Sequence, residues 1–200
     1  TPFFLARAAA CFAVWIGLAL LLTRWSSGQD RTGDPGLAVR MRNTSAVGMV
    51  LYFATMTIAA IDWAMSLEPH WFSTMYGFLF IIGQALMGLA IAIVTARRLS
   101  AEAPMSGVYN AGHFHDFGKL LFAFTMVWAY LSFSQFLIIW SANLPEEIPW
   151  YLHRMDHGWE RIGIGLALFH FAVPFIVLLS RRSKRNAALL AGMAKTRPLT

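Results

Sequence analysis

Charge and cysteine are both scarce in this sequence, and each shortage excludes a class of protein. Cys11 is the only cysteine, which excludes a disulfide scaffold and any Cys-x-x-Cys redox motif. Charged residues make up 13% of the chain, about half of the ~25% usual in soluble domains. Glycine-rich phosphate loops are missing, and no Ser-His-Asp set can be assembled with certainty. Soluble-enzyme chemistry therefore has no support.

What the chain has instead is apolar and aromatic surface. Hydrophobic residues make up 58% of its 200 residues, and aromatic residues 14%, where soluble domains hold about 45–50% apolar residues. A globule of this length could not bury so much apolar surface, and the composition also excludes a disordered chain. The sequence therefore predicts a polytopic membrane protein. The net charge of +6 then indicates topology rather than a nucleic-acid partner.

The hydrophobic runs predict an all-α, polytopic transmembrane helix bundle. We expect five spans, at about 3–25, 45–65, 75–96, 117–142 and 161–180, and a basic cytoplasmic tail over about 181–200. A polar loop over residues 26–44, with a turn cluster at 33–36, separates the first two spans. Residues 66–77 are too few to leave the membrane, so they are expected to turn at the interface, with Trp63, Trp71 and Tyr76 as belt residues. Residues 1–200 are treated as one transmembrane domain.

Lysine and arginine predict the orientation of these spans. If span one starts on the outer side of the membrane, thirteen of the sixteen lysine and arginine residues lie on the inner side. Only Arg7, Arg154 and Arg161 then lie on the outer side. Both short acidic loops then fall on the outer side. The inner set is Arg24, Arg31, Arg40, Arg42, Arg97, Arg98, Lys119, Arg181, Arg182, Lys184, Arg185, Lys195 and Arg197.

Two ionisable residues within the spans are the first functional candidates, because such groups are costly in a bilayer. Asp62 lies near the outer end of span two and could exchange protons, or could reach interfacial water or cap the following turn. His170 lies near the middle of span five, where Pro174 loosens the backbone. Its imidazole could relay protons, bind a quinone carbonyl or ligate haem, or could hydrogen-bond a neighbouring helix. Haem is disfavoured, because the other histidines lie at span ends or in loops.

Span four carries a polar stripe. Tyr130, Ser134 and Ser141 recur on one helical face, and Gln135 flanks it. These groups could line a hydrated path or hold a quinone head group, and they could equally hold helices together. At the start of the span, Asp116 and Lys119 are spaced for a salt bridge. The nearby histidines match no strong metal motif, so we favour a solvated helix start that could also admit protons.

The outer segment LPEEIPWYLHR, residues 144–154, is dense in charge and aromatic side chains. Glu146 and Glu147 make it a candidate docking surface for a partner or a proton exit. The alternative is an amphipathic segment that lies at the interface with solvated acids.

Long stretches of the chain resemble the ActF membrane subunit of bacterial alternative complex III, a quinol:cytochrome c oxidoreductase. They are DWAMSLEPHWFSTMYG (62–77), HDFGKLLFAFTMVWAYLSFSQFLIIWSANLPEEIPWYLHR (115–154), FHFAVPFIVLLSRRSKRN (169–186) and the polar WSSGQDRTGDP (25–35). The resemblance covers nearly the whole chain. It implies the NrfD-like polysulfide-reductase superfamily of two four-helix bundles plus extra helices. Its members are longer, so we expect this chain to be a C-terminal portion, an NrfD-like half.

The resemblance implies a multi-pass subunit of the bacterial inner membrane that supports quinol oxidation and proton conduction. It implies no redox cofactor in this chain, leaves quinone or quinol binding open, and assigns haem c and iron–sulfur clusters to partner subunits. Asp62, Glu68 and His70 match the family's outer motif, Asp116 and Lys119 its inner one, Glu146 and Glu147 its acidic loop, and His170 its FHFAVPF stretch. No catalytic residue or metal ligand is assigned. A purely structural anchor and an independent transporter are the alternatives.

Overall fold

Helices form nearly all of the structure, a computed structural model that describes residues 2–103, 105–156 and 158–195. No strand occurs in these ranges, so the predicted all-α class is confirmed. Short 3-10 turns lie at Met65–Leu67 and Met105–Gly107, and a π-helical segment, Leu166–Ala172, connects α6 to α7. The helices are α1 (Pro2–Thr32), α2 (Pro35–Trp63), α3 (Tyr76–Leu99), α4 (Ala111–Ala142), α5 (Pro149–Met155), α6 (Trp159–Gly165), α7 (Val173–Leu179), α8 (Arg181–Arg185) and α9 (Ala187–Lys195).

Five helical segments are long and apolar enough to cross a membrane: Pro2–Thr32, Pro35–Leu67, Tyr76–Leu99, Ala111–Ala142 and Trp159–Leu179. Even the shortest has 21 residues, or about 32 Å, against a hydrocarbon core of about 30 Å. Their outer surfaces carry large apolar side chains, such as Val50 at 70% and Phe133 at 62% exposed. Such a surface is suited to lipid rather than water. The chain is a multi-pass membrane protein with five candidate spans.

The polar stretch predicted as a loop over residues 26–44 is helical except at Gly33 and Asp34, so that prediction was wrong. Polar side chains do not break a helix; the break comes where Gly33 takes a φ of +66° and Pro35 follows at the first position of α2. The Asp34 carboxylate accepts a hydrogen bond of 2.8 Å from the N–H of Gly36 and caps α2.

The later connections also contain more helix than the sequence predicts. Asn110 caps α4, which therefore begins before residue 117, the predicted start of span four. In the predicted basic tail, α8 and α9 fold back, and Leu190 and Ala191 of α9 are buried. The apolar run AALLAGM drives this packing. Arg197 of that tail and His157 lie outside the described residues.

The chain divides into two compact units, the first ending at Pro69 and the second beginning at His70. The first is a helical hairpin of α1 and α2, whose contacts repeat about every seven residues of α2. Asp62 pairs with Arg7 of α1, and Thr55 accepts a hydrogen bond from Trp15. Gly48 lies against Leu18 of α1. A Cβ on Gly48 would lie 3.0 Å from a Leu18 methyl, so glycine permits the close approach.

The second unit packs α3, α4, α7 and α9 around one hydrophobic core, centred on Leu86, Ile93, Leu121, Leu178 and Leu190, and α8 packs against α4. The segments α8 and α9 pack near the first turns of α4, while the aromatic residues of α5 pack near its last turns. This unit therefore has a basic end and an aromatic end. The single transmembrane domain over 1–200 stays a prediction.

Candidate functional site

Asp62 does not stand alone in its span, because Arg7 of α1 pairs with it. Arg7 Nε lies 2.6 Å from Asp62 Oδ2, and Arg7 Nη2 lies 3.0 Å from Asp62 Oδ1. This two-point geometry is the strongest that a carboxylate and a guanidinium form. The Asp62 side chain is 14% exposed and that of Arg7 36%. In the sequence, Arg7 lies within an apolar run, where an unpaired charge is costly in a bilayer. That cost indicates that Arg7 has a partner of opposite charge.

Aromatic side chains lie close to this pair on the hairpin. The Arg7 guanidinium lies 4.3 Å from the centre of the Phe3 ring. One helical turn further on, Phe12 stacks on Trp63 with 5.5 Å between ring centres, and Trp15 meets Trp63 edge to face. The ion pair neutralises both charges, and the aromatic contacts next to it join α1 to α2.

A buried amide, that of Gln135 on α4, lies within the second unit. Its side chain is 3% exposed, and neither its oxygen nor its nitrogen has a hydrogen-bond partner among the described residues. An unsatisfied buried amide costs about 1–3 kcal/mol. Such a group needs a partner beyond the described residues, such as water or a ligand.

A small pocket of about 130 Å³ opens beside Gln135. A water needs about 10–15 Å³ of such space, so the pocket accommodates several waters or one small polar group. Ser73, Thr74 and Glu147 are the other polar residues of its lining. Its apolar lining is Phe72, Met75, Ile138 and Ile139. The pocket joins a buried amide to a half-buried carboxylate of the predicted acidic loop.

Tryptophans pack at the aromatic end of the second unit, where Gln135 also lies. Trp71, predicted to lie in an interfacial belt, is instead 4% exposed and stacks on Trp150 with 4.6 Å between ring centres. Its indole N–H has no partner among the described residues. The Arg154 guanidinium lies 3.8 Å from the centre of the Trp150 ring. Burial raises the pKa of the neighbouring Tyr151 to about 12, although Arg154 opposes the shift.

His170 lies in the π-helical segment and is 3% exposed. Pro174 has no N–H to donate to the carbonyl of His170 four residues before it, which accounts for the loosened helix there. The imidazole meets the Trp128 ring nearly edge to face, with 4.5 Å between centres. It is therefore packed between α4 and its own helix.

The polar stripe of span four is divided between surface and interior. The Tyr130 side chain is 68% exposed and Ser141 is exposed, while Ser134 is half-buried. Ser141 donates a hydrogen bond to the carbonyl of Ile138. Gln135, which flanked the predicted stripe, is the buried member. Within the described chain these side chains do not converge on one site.

At the basic end, the predicted ion pair forms: Lys119 Nζ lies 2.7 Å from Asp116 Oδ1. Both side chains are more than half exposed, so the pair adds little stability. His113 Nδ1 accepts a hydrogen bond from the backbone N–H of Asn110 and closes a capping box. No group of three metal-ligating side chains occurs within the described residues.

The remaining candidate residues, Glu68, His70 and Glu146, do not form one site among the described residues. Glu68 ends the short turn after α2 and belongs to the first unit, whereas His70 is exposed and opens the second. Glu146 is exposed beside the half-buried Glu147. The roles assigned to these residues stay predictions.

Comparison with known proteins does not assign this chain to a family. No protein-family model matches the sequence, and no curated protein matches it.

Proposed function

We propose that the chain is a membrane subunit of a quinol:electron-acceptor oxidoreductase of the alternative complex III type. It supports quinol oxidation and proton conduction and carries no redox cofactor of its own. In this proposal the quinol pool supplies the substrate, and multihaem cytochrome and iron–sulfur subunits are its partners. The membrane is the bacterial inner membrane, with the basic end of the second unit on the cytoplasmic side.

The observation that carries the proposal is the unpartnered Gln135 amide beside the pocket that Glu147 lines. An amide offers two donors and an acceptor, which can order water or bind a carbonyl or hydroxyl group. Gln135 does not titrate, so its role is to hold water or a head group in place. Glu147 is the group that can take up a proton.

Quinol oxidation releases protons, and a carboxylate near the outer face is well placed to accept them. Glu147 receives a proton through water in the pocket and passes it to the outer solution, while Glu146 extends the acidic surface. A pocket of about 130 Å³ is smaller than ligand sites for drug-sized molecules, which run to about 300–1,000 Å³. Water or a single polar head group fits it; a whole quinol does not.

The test uses the assembled complex with Gln135→Leu. This variant keeps the side chain's approximate volume and removes the amide. We expect quinol oxidation per complex to fall about tenfold. This is less than the ~10²–10⁴-fold that a general acid or base contributes, because Gln135 holds water in place and does not itself transfer the proton. Glu147→Gln is expected to lower the rate as well and to flatten its pH dependence. The matched control is Leu137→Ala, which alters an exposed side chain of α4 outside the pocket.

A purely structural anchor makes the opposite prediction. The same substitutions would change the yield of assembled complex on a native gel and leave turnover per complex unchanged. The Arg7–Asp62 ion pair favours such a role for the first unit. An independent transporter would purify without multihaem cytochrome and iron–sulfur partners, and that result would overturn the proposal.

A further inference from the structure

Three arginines converge on a shallow pocket at the basic end of the second unit. Arg97 lies in the last turn of α3, and Arg182 and Arg185 lie on α8. They line a depression of about 540 Å³ that is completed by Asn186, Ala187 and Ala188. Among the described residues, no carboxylate lines this pocket. The ion pairs observed among the described residues, Arg7–Asp62 and Asp116–Lys119, use none of these arginines.

The first turn of α9 adds positive potential to the same place. Asn186 Oδ1 accepts hydrogen bonds of 3.1 Å from the N–H groups of Ala188 and Leu189 and caps this nine-residue helix. The helix dipole therefore directs its positive end toward the pocket. Three arginines and a helix N-terminus, with no acid among the described lining residues, give this pocket a positively charged lining that favours an anion.

The surroundings of the pocket are apolar on one side. Arg97 ends the spanning helix α3, so the pocket lies where a hydrophobic span gives way to polar residues. On α9, Ala187 and Ala188 line the pocket, the next residue, Leu189, is 40% exposed, and Leu190 and Ala191 bury their side chains in the core. An anion that binds here meets charge on one side and an apolar helix on the other.

We propose that this pocket binds the phosphate of an anionic phospholipid head group. The planar guanidinium matches phosphate oxygens with two parallel hydrogen bonds, which a lysine does not provide. The alanines and Leu189 contact the glycerol and the first acyl carbons of the same lipid. Free phosphate shares the first feature and lacks the second, and the apolar rim favours the lipid. The proposal is independent of the quinol-related function.

The experiment measures binding of phosphatidylglycerol to the full chain in neutral nanodiscs, with phosphatidylcholine as the reference lipid. A basic residue near a membrane contributes about fivefold in affinity for anionic lipid. The triple variant Arg97→Gln, Arg182→Gln, Arg185→Gln is therefore expected to bind phosphatidylglycerol about 100-fold more weakly. The triple Lys variant keeps the charge and is expected to lose about tenfold or less. The matched control, Arg31→Gln with Arg40→Gln and Arg42→Gln, removes equal charge from the first unit and measures how much of the loss is a general effect of charge; we expect its loss to be well below that of the triple Gln variant.

Three results would overturn the proposal. The first is equal loss in the triple Gln variant and the control, which would show a nonspecific effect of net charge. The second is unchanged binding in the triple Gln variant. The third is full displacement of the lipid by millimolar inorganic phosphate, which would make free phosphate the ligand. Because the Lys variant retains all three charges, its binding separates loss of the site from loss of folding.

Discussion

Arg7 and Asp62 join the two helices of the first unit through two hydrogen bonds, of 2.6 and 3.0 Å. Each residue alone would place a charge in a hydrophobic span, which costs at least about 2.5 kcal/mol. Together they neutralise one another at one end of the hairpin. Asp62, which the sequence offers as a proton carrier, is thus also the ion-pair partner that joins α2 to α1.

Asp62→Asn is expected to destabilise the protein because it leaves the Arg7 charge without its partner. Removing one member of a fully buried pair costs about 3–5 kcal/mol, and the 36% exposure of Arg7 reduces this to about 1–3 kcal/mol. Thermal denaturation in detergent measures the loss. In the double variant Arg7→Leu, Asp62→Leu, much of the stability should return. If Asp62→Asn instead kept full stability and abolished proton transfer, this interpretation of the ion pair would fail.

Much of this fold could be predicted from the sequence, because hydrophobic runs report directly on spanning helices. The five spans and the all-α class followed from them. The polar stretch 26–44 was misread, because polarity marks exposure to water and not the end of a helix. The positions of Gly33 and Pro35, which stop α1 and start α2, carried that information and predict only a two-residue turn.

Gly118 permits α4 and α8 to approach closely, which gives a second prediction. A Cβ at this position would lie 2.8 Å from Lys184 Cγ and 3.1 Å from its backbone Cα. Because the backbone atom cannot move away alone, Gly118→Ala should cost about 1–3 kcal/mol. Gly88→Ala, on α3 with nothing within 4 Å of the new Cβ, is the matched control and should cost nothing. Equal melting temperatures for the two variants would contradict this packing.

The sites were harder to predict than the spans, because their members come from distant parts of the chain. Asp116 and Lys119 are three residues apart on one helix, so their spacing was enough. Arg7 and Asp62 are 55 residues apart, and only the cost of each charge hinted at the pair. The Gln135 pocket needs Ser73, Thr74 and Glu147 from two other segments, whose meeting depends on how the helices pack.

Tyr151 is expected to make the protein sensitive to base. Burial raises its pKa from 10.0 to about 12 in the folded chain, so between these values the unfolded chain releases the proton and the folded chain keeps it. The unfolded state then binds fewer protons, and stability falls as pH rises from about 10 to 12. Tyr151→Phe should reduce this loss, measured as melting temperature against pH. A tyrosine that ionises near pH 10 in the folded protein, followed by ultraviolet titration, would contradict the prediction.

Thr55 accepts a hydrogen bond of 2.9 Å from the indole N–H of Trp15, and it donates its own proton to the carbonyl of Leu51. Thr55→Val keeps the shape of the side chain and leaves the indole N–H without its acceptor. Interhelical hydrogen bonds in membrane proteins are worth about 0.6–1.7 kcal/mol, so a loss of about 1 kcal/mol is expected. Thr57→Val is the matched control, because Thr57 donates to the carbonyl of Phe53 on its own helix. Equal stability of the two variants would mean that the bond between α1 and α2 adds nothing, since both lose the same bond to their own backbone.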